Sequence, residues 1–474
     1  MPEVYFPKRM GPIDAMFWSL EKDRRLRTTA IAISIFDQAP DREGLREILH
    51  RATQRIPRLR QRVIEVPGGL SAPVWHDDPD FALEDHLRFE TAPDGGAWSF
   101  VLDLAAAMAA KAFDRSRPLW EFAVVEQLKG GQAALVQKLH HSVGDGAAGV
   151  ALMSEIYQLT RHAPTRMREH VPLEAPEPYG PEGGALALAA EILREDLASA
   201  PATLLAAVRS GLQAVQKPIE NATYAIDQVR AVSEIMRSGP GPLSPIMRGR
   251  SSRSTFAALT LPTAQLKAAA AACDSTLNDA LLAALASGLN RYHVRKGAPA
   301  DGLRAAIPIS VRDASGALTM GNRLAIGRFT LPCGERSARE RMAAIHRTVQ
   351  EQREPASLAA FEALATLVNF SPTDLILPLI LEEMLKSDVV ATAVTGPPAP
   401  LYLAGSRVES LFGFGPTAGA ALNVTLMSYL DEASVAFTID SSAVSDPEQL
   451  IDCMEAGFGE IVGLVRRPAA SSRT

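Results

Sequence analysis

The chain has few cysteines and no dominant block of either charge, and both absences narrow its class. Its three cysteines, Cys273, Cys333 and Cys453, are too sparse for a disulfide framework and lack metal-ligand spacing. Lys and Arg number 48 and Asp and Glu number 54, which gives a formal net charge of −6. This charge balance does not indicate a protein that binds nucleic acid. The low cysteine count indicates a reducing compartment.

Long uninterrupted apolar runs are also lacking. The two longest uncharged segments, Val389–Ser406 and Ser410–Leu430, approach the roughly 20 residues that span a bilayer. Prolines interrupt the first segment, and glycines and a proline interrupt the second, so neither predicts a transmembrane helix. The start of the chain has charges but no apolar stretch of signal-peptide length behind them. We therefore expect a cytoplasmic protein, while contact with a lipid surface stays open.

Three segments of different composition follow one another along the 474 residues. Residues 1–160 alternate strand and helix patterns, and residues 246–474 return to that alternation. Residues 161–245 begin with prolines and continue as Ala/Leu-rich helical sequence. The sequence thus predicts two α/β domains joined by a helical connector. Two connector helices are amphipathic, which fits packing on the protein's own domains, on a lipid surface or on a partner chain.

Local patterns predict the main elements. Runs of β-branched and apolar residues indicate strands, and apolar residues at helical spacing behind a capping residue indicate helices. The first domain is predicted to contain strands over 28–36, 119–125 and 133–141 and a helix over 146–159. The second is predicted to contain a strand at 254–261, helices over 263–272 and 339–352, a helix opening near 275, a hairpin of 422–429 with 435–440, and a last helix capped by Asp446.

The most informative segment is Leu139–Ala147, which reads Leu-His-His-Ser-Val-Gly-Asp-Gly-Ala. Side chains alternate across a strand, so His140 and His141 are expected to point to opposite faces and not to form one chelating pair. A neutral imidazole, with an unperturbed pKa of about 6.5, is a natural general base for an alcohol. Asp145 can fold back after a tight turn to fix the loop, and Gly146 lets the backbone make that turn.

The complete pattern His-His-x-x-x-Asp-Gly resembles the active-site motif of the bacterial wax ester synthase/acyl-CoA:diacylglycerol acyltransferase family. That family lies within the superfamily of CoA-dependent acyltransferases and peptide-synthesis condensation domains. Further matches cover nearly the whole chain and occur in the same order as in the family. They are Asp14–Phe17, Arg117–Glu121, Leu277–Asp279, Pro308–Arg312, Gly321–Asn322, Tyr402–Gly405 and Leu422–Val424.

The resemblance implies two domains of the chloramphenicol-acetyltransferase type with a reaction tunnel at their interface. It implies a long-chain acyl-CoA donor, diacylglycerol or a long-chain alcohol as acceptor, and no metal or redox cofactor. His141 is then expected to act as the base and Asp145 to hold it. Backbone amides near Gly146, or the side-chain amide of Asn278, are expected to stabilise the oxyanion.

Water-insoluble substrates imply peripheral contact with the inner membrane or with lipid droplets, and the oligomeric state stays open. One alternative is an acyltransferase that uses a carrier-protein donor or another lipid alcohol. A second alternative is a lipid-binding relative without turnover. The intact pair of His141 and Asp145 argues against the latter.

The other matched residues allow a structural role beside a functional one. Trp120 fits a core anchor, and Pro118 fits support of a tunnel wall without contact with substrate. Asn278 and Asp279 open an apolar helix, so helix-start chemistry explains them as well as an active-site role does. Arg312 follows an apolar strand, which fits a surface charge or a buried partner in the active-site loop.

Two positions depart from the family's usual pattern. Ala393 stands where the family usually has an asparagine, so a side-chain amide is replaced by a methyl group unless Thr392 or Thr395 compensates. Ser244 stands after Leu243, where the family commonly has an asparagine. Neither change touches the His-Asp core, so we expect acyl transfer with an altered substrate preference.

Overall fold

The computed structural model describes residues 6–65, 72–93, 95–144, 146–162, 243–310, 324–352 and 381–466. Asp145, Arg312 and nearly all of the predicted connector lie outside these ranges. Two six-stranded sheets, one two-stranded sheet and the helices packed on them form the described part of the chain. None of the helices in these ranges is both long and apolar enough to cross a bilayer.

The first sheet takes strands from both halves of the chain. Its strands are β1 (Thr29–Phe36), β4 (Leu87–Thr91), β5 (Trp120–Glu126), β6 (Ala133–His140), β11 (Tyr402–Leu403) and β12 (Ser406–Phe414). They are ordered β11-β12-β1-β6-β5-β4. A separate small sheet pairs β2 (Gln61–Ile64) with β3 (Val74–Asp77). Strands β1, β5 and β6 confirm the three strands predicted for the first domain.

Helices cover both faces of the first sheet. They are α1 (Pro12–Leu20), α2 (Arg42–Arg55), α3 (Trp98–Ala110) and α4 (Gly146–Ile156). The apolar residues of α2 and α4 pack with Leu135 and Trp120 in one core cluster. Those of α3 pack with Ile31 and Val136 in another cluster. The central strands β1 and β6 are therefore buried on both faces.

The helices that pack on the second sheet share one hydrophobic core with it. Its strands are β7 (Ser254–Pro262), β8 (Gly302–Ser310), β9 (Leu324–Pro332), β10 (Val389–Thr395), β13 (Leu422–Tyr429) and β14 (Glu432–Asp440), in the order β7-β14-β13-β10-β8-β9. Four helices share its main core cluster: α5 (Thr263–Ala271), α6 (Leu277–Arg295), α7 (Ala338–Gln352) and α8 (Pro447–Arg466). The predicted hairpin is confirmed as β13 and β14.

The two sheets are tied together by an exchanged strand. Strand β12 belongs to the second half of the chain, yet it pairs antiparallel with β1, with Ile33 opposite Phe412. At its end, the Phe414 ring stacks on Phe256 of the second sheet, with centroids 4.5 Å apart and 5° between the ring planes. Residues 402–414 thus belong to the first sheet, although the sequence analysis places them in the second domain.

Helices α6 and α8 approach each other closely at glycine. A Cβ atom on Gly457 would lie 2.5 Å from the carbonyl oxygen of Ala284 and 2.6 Å from the amide nitrogen of Gly288. Rotation of a side chain cannot relieve these distances, because both atoms belong to the backbone. On the same helix, a Cβ on Gly459 would meet nothing within 4 Å.

We expect Gly457→Ala to lower the free energy of unfolding by about 1–3 kcal/mol, the usual effect of overpacking a tight contact. Gly459→Ala is the matched control, and it should be neutral or stabilising by up to about 1 kcal/mol because alanine favours helix. Urea unfolding of both variants measures the difference. Equal stabilities would show that α6 and α8 separate without cost.

Candidate active site

The two histidines lie where the most buried strand of the first sheet ends. Strand β6 ends at His140, and a short 3₁₀ turn, His141–Val143, follows it. The amide of His140 donates to the Leu119 carbonyl at 3.1 Å, and that of His141 donates to the Thr28 carbonyl at 2.9 Å. The backbone of the pair is therefore held from both neighbouring segments.

The alternation predicted for this strand is visible in its packing. Leu135 and Leu139 pack in the cluster that contains Trp120. Val136, the neighbour of Leu135, packs in the cluster under α3. Further along, His140 is 1% exposed, whereas His141 is only half-buried. Adjacent residues therefore occupy different environments, and only His141 keeps access to space outside the core.

Hydrogen bonds engage both ring nitrogens of His140. Nδ1 lies 3.0 Å from the amide nitrogen of Ser142 and 2.6 Å from its hydroxyl. Nε2 lies 3.2 Å from the Thr28 hydroxyl and 3.4 Å from a carboxylate oxygen of Glu21. Because a backbone amide can only donate, Nδ1 must accept and carries no proton. His140 is therefore the neutral tautomer with its proton on Nε2, facing Glu21.

Glu21 completes this buried network. Burial raises the pKa of its carboxyl group, but the hydrogen bond from His140, the Thr28 amide and the charge of Arg115 outweigh burial and lower that pKa. The Trp18 and Phe113 rings meet the His140 imidazole edge-on at 6.0 and 5.9 Å between centroids. His140 is thus enclosed by aromatic rings and hydrogen-bonded on both sides.

His141 meets a different environment. Its ring lies 5.3 Å from that of Phe17 on α1, tilted by 49°. Five residues later, α4 begins at Gly146, so the unpaired amides of a helix N-terminus follow the histidine closely in the chain. This segment combines a partly accessible imidazole with backbone amides that favour negative charge, which are the two groups required for base-assisted acyl transfer.

Trp120 and Pro118 support the core. Trp120 is 1% exposed, and its indole nitrogen donates to the Leu59 carbonyl at 2.9 Å. Its ring stacks on His86 with centroids 4.6 Å apart. Pro118, two residues earlier, is also buried. The core-anchor interpretation of Trp120 accounts for all these contacts.

Asp279 performs the helix-start role. Its carboxylate accepts from the Thr276 amide at 2.9 Å, and the Thr276 hydroxyl in turn accepts from the Asp279 amide at 3.2 Å, which forms a capping box on α6. His346 of α7 lies 2.8 Å from the same carboxylate. Asn278 is half-buried in the first turn of this helix. Among the described residues, helix-start chemistry therefore explains Asp279.

The departure at Ser244 has a structural explanation. Its hydroxyl accepts from the Met247 amide at 2.9 Å and lies 2.9 Å from Nε2 of His293. Its own amide donates to Asp388, which also accepts from the Leu243 amide. Ser244 and His293 are both fully buried. The start of the second domain is thus held by hydrogen bonds of the Ser244 hydroxyl and of the Leu243 and Ser244 amides, the latter two to the Asp388 carboxylate.

Ala393 lies in β10 opposite Leu426 of β13. It is half-buried and packs against the main core cluster of the second domain. Among the described residues, no group of three or more potential metal ligands forms a cluster.

The sequence analysis did not identify Glu21, Thr28 or Ser142. Ser142 lies within the motif, and its role follows from the turn that begins at His141. Glu21 and Thr28 are separated from His140 by more than a hundred residues of chain, with |i−j| of 112 for Thr28. Local patterns carry no signal for such a pairing.

Family models match both halves of the chain. Residues 10–281 match the wax ester synthase/diacylglycerol acyltransferase catalytic domain, and residues 320–462 match the C-terminal domain of the same family. The first match alone covers more than half of the chain. The protein therefore belongs to the wax ester synthase/diacylglycerol acyltransferase family, which confirms the resemblance carried by its His-His-x-x-x-Asp-Gly motif.

Curated relatives agree over the full length. A Mycobacterium tuberculosis protein named as a diacylglycerol O-acyltransferase is 30% identical over 468 residues, which cover 97% of this chain and 93% of that protein. O-acyltransferase WSD of Acinetobacter baylyi is 25% identical and covers 97% of this chain and 98% of its own. The family assignment therefore applies to both domains.

Solved structures show the same fold. The wax ester synthase/diacylglycerol acyltransferase from Marinobacter aquaeolei VT8 has a TM-score of 0.61 at 22% identity, and the match covers 96% of this chain and 100% of that chain. The first condensation domain of the calcium-dependent antibiotic (CDA) synthetase has a TM-score of 0.61 at 16% identity and covers 97% of this chain and 96% of that chain. These neighbours confirm the predicted two-domain acyltransferase fold.

The lowered pKa of Glu21 predicts a pH-dependent contribution to stability. A carboxylate with a depressed pKa stabilises the fold above its unfolded value, about 4.3, and this contribution is lost as the pH falls through the folded value. We expect Glu21→Gln to lower the free energy of unfolding by about 1–2 kcal/mol at pH 7, since it removes a charge-assisted hydrogen bond. The deficit relative to wild type should shrink below pH 4.

Urea unfolding between pH 3 and pH 7 measures this deficit. Glu47→Gln removes an exposed carboxylate of α2 and serves as the control, which should change little at any pH. A deficit for Glu21→Gln that is constant with pH would contradict an ionised Glu21 carboxylate in this buried network.

Proposed function

We propose that the protein moves a long-chain acyl group from acyl-CoA to the hydroxyl of diacylglycerol, of a long-chain alcohol, or of both. One observation carries the proposal. In a chain of this family, hydrogen bonds with Ser142 and Thr28 occupy both nitrogens of His140, while the adjacent His141 is half-buried at the strand end. The division leaves His141 as the imidazole suited to accept the proton of an acceptor alcohol.

The proposed reaction proceeds by direct transfer. Nε2 of His141 accepts the proton of the acceptor hydroxyl as its oxygen attacks the thioester carbonyl carbon. The resulting tetrahedral oxyanion collapses, the carbon–sulfur bond breaks, and the CoA thiolate leaves and takes the proton from His141. The products are an ester and CoA, with no covalent acyl-enzyme. No atom changes oxidation state, so the reaction requires no redox cofactor, and we propose none and no metal.

Other matched residues are assigned supporting roles. Asp145 is proposed to hold His141 and shape the loop before α4. Backbone amides from Gly146 onward, or the side-chain amide of Asn278, are proposed to donate to the oxyanion, which requires nitrogen–oxygen distances near ~2.7–3.1 Å. Asp279 is proposed to fix the start of α6 through its capping box. Arg312 is proposed to bind substrate or to support the structure, for example as a partner of Asp145.

Substitution of each histidine tests the proposal that His141 is the base and that His140 has a structural role. We expect His141→Ala to lower kcat by at least ~10²-fold, the usual loss when a general base is removed, with unchanged unfolding behaviour. His140→Ala should act mainly on stability, because it leaves the Glu21 carboxylate and the Ser142 amide without their partner.

The assay follows CoA release from palmitoyl-CoA with dioleoylglycerol or hexadecanol as acceptor, and circular dichroism checks the fold. A folded but inactive His140 variant beside a fully active His141 variant would reverse the assignment.

Ala393→Asn tests whether substrate preference follows the departure from the family. A neutral hydrogen bond contributes about 0.5–1.5 kcal/mol, which changes a rate several-fold without abolishing catalysis. We expect the natural sequence to be active, and Ala393→Asn to raise the rate or change the choice of acceptor. Kinetics of both forms over an acceptor panel measure this. Identical acceptor profiles would show that residue 393 does not determine substrate specificity. Inactivity of both forms would favour a lipid-binding protein without turnover.

We further propose a cytoplasmic protein that associates peripherally with the inner membrane or with lipid droplets. The acceptors are insoluble in water, and amphipathic segments occur within residues 161–245 of the sequence. Liposome flotation should show binding that survives moderate salt, because the net charge of −6 provides little attraction for anionic lipid. Protein that stays unbound to both liposomes and lipid droplets would contradict this.

A further inference from the structure

A small, open cleft with a volume of about 40 Å³ lies between the two domains. Its walls come from the start of β1, the end of α3, the start of β7, the segment after β12 and the end of β14. The residues that matter for its chemistry are Arg24, Arg25, Arg27, Thr29 and Thr438. The lining therefore combines three guanidinium side chains with hydroxyl groups from both sheets.

Two of these hydroxyls are buried and unsatisfied. Thr29 is 5% exposed and Thr438 is 4% exposed. Neither Oγ1 atom has a hydrogen-bond partner within the described part of the chain. A buried hydroxyl without a partner destabilises the fold, so such groups usually indicate a missing partner. Here both hydroxyls line the same cleft, one from each sheet.

Three arginines give the cleft positive charge, and only one of them forms an ion pair within the described part of the chain. Arg25 is paired with Asp23 at 2.8 Å. Arg24 and Arg27 form no ion pair or hydrogen bond within the described ranges. Burial lowers the pKa of Arg27, Glu21 opposes that change, and the neighbouring charge of Arg24 adds to it. An anion in the cleft would relieve both the desolvation of Arg27 and its repulsion from Arg24.

The cleft adjoins the strand end that carries the histidines. Thr29 is the direct partner of His140 in the β1–β6 ladder. Arg27 is close enough to Glu21 for their charges to interact, and Glu21 contacts His140. In CoA the phosphates are separated from the thioester by the pantetheine arm. A phosphate site is therefore expected near the catalytic segment and outside the reacting atoms.

We propose that this cleft binds the phosphate groups of the acyl donor's CoA, through Arg24 and Arg27 and the hydroxyls of Thr29 and Thr438. The proposal rests on the proposed acyl-CoA-dependent function. Two unpaired guanidinium groups suit the several phosphates of CoA, because guanidinium pairs with phosphate in fixed, charge-assisted hydrogen bonds. The arm of a carrier protein presents one phosphodiester and lacks the adenosine bisphosphate.

The first test uses adenosine 3′,5′-bisphosphate, the nucleotide end of CoA, in calorimetric titrations of the full chain. We expect the double variant Arg24→Gln/Arg27→Gln to bind at least ~10-fold more weakly than wild type, the scale of a lost charge-assisted contact. Arg347→Gln, which removes an exposed arginine of α7, is the matched control and should bind as wild type does. Unchanged binding by the double variant, or an equal loss in the control, overturns the proposal.

A second variant separates binding from folding. Thr438→Val keeps the side-chain shape and removes a hydroxyl that has no partner in the described structure. We expect unfolding midpoints no lower than wild type, together with several-fold weaker bisphosphate binding. Unchanged bisphosphate affinity in this variant removes the hydroxyl from the site.

A third test identifies the source of the phosphate. With palmitoyl-CoA, the double variant should raise KM at least ~10-fold with little change in kcat, whereas palmitoyl-pantetheine, which lacks the nucleotide, should show no such difference. Phosphatidylglycerol vesicles that displace the bisphosphate would assign the cleft to a lipid headgroup instead. The titration requires no turnover, so an inactive protein that binds the bisphosphate would contradict the proposed function and leave the cleft assignment standing.

Discussion

A single backbone amide determines which ring nitrogen of His140 carries the proton at the end of strand β6. The N–H of Ser142 points at Nδ1 of His140 from 3.0 Å and compels that nitrogen to accept. The proton of the imidazole is consequently on Nε2, and this N–H group faces the Glu21 carboxylate and the Thr28 hydroxyl. The strand end, the 3₁₀ turn and the carboxylate from α1's C-terminal side form one unit, and His141 extends from it with its ring against Phe17.

Much of this arrangement can be predicted from local sequence. Side-chain alternation along 133–141 predicts different environments for the two histidines, and the burial of His140 beside a half-buried His141 agrees with it. The hairpin of β13 and β14 and the helix that begins at Pro447 behind Asp446 are also predicted from short-range patterns. In each case the determining interactions lie within a few residues.

The rest depends on contacts between distant parts of the chain. Glu21 has no local feature that marks it as the partner of His140, and the exchange of β12 into the first sheet follows from burial of Phe412 and Phe414 between the domains. Asp279 differs from Glu21, because the local sequence does mark it as a special residue. Its pattern fits a capping box as well as it fits a catalytic role. Helix-start chemistry and active-site chemistry use the same residue types, so only the structure separates them.

The central claim is our proposal that hydrogen bonds fix His140 in the core and that the half-buried His141 accepts the proton of the acceptor alcohol. Nitrogen NMR of the histidine-labelled protein, with and without palmitoyl-CoA, tests it directly, and His140→Gln and His141→Gln assign the signals. The account predicts an unprotonated Nδ1 on His140 whose signals do not move with the ligand, and His141 signals that do. A protonated Nδ1 on His140, or a ligand response confined to His140, would contradict it.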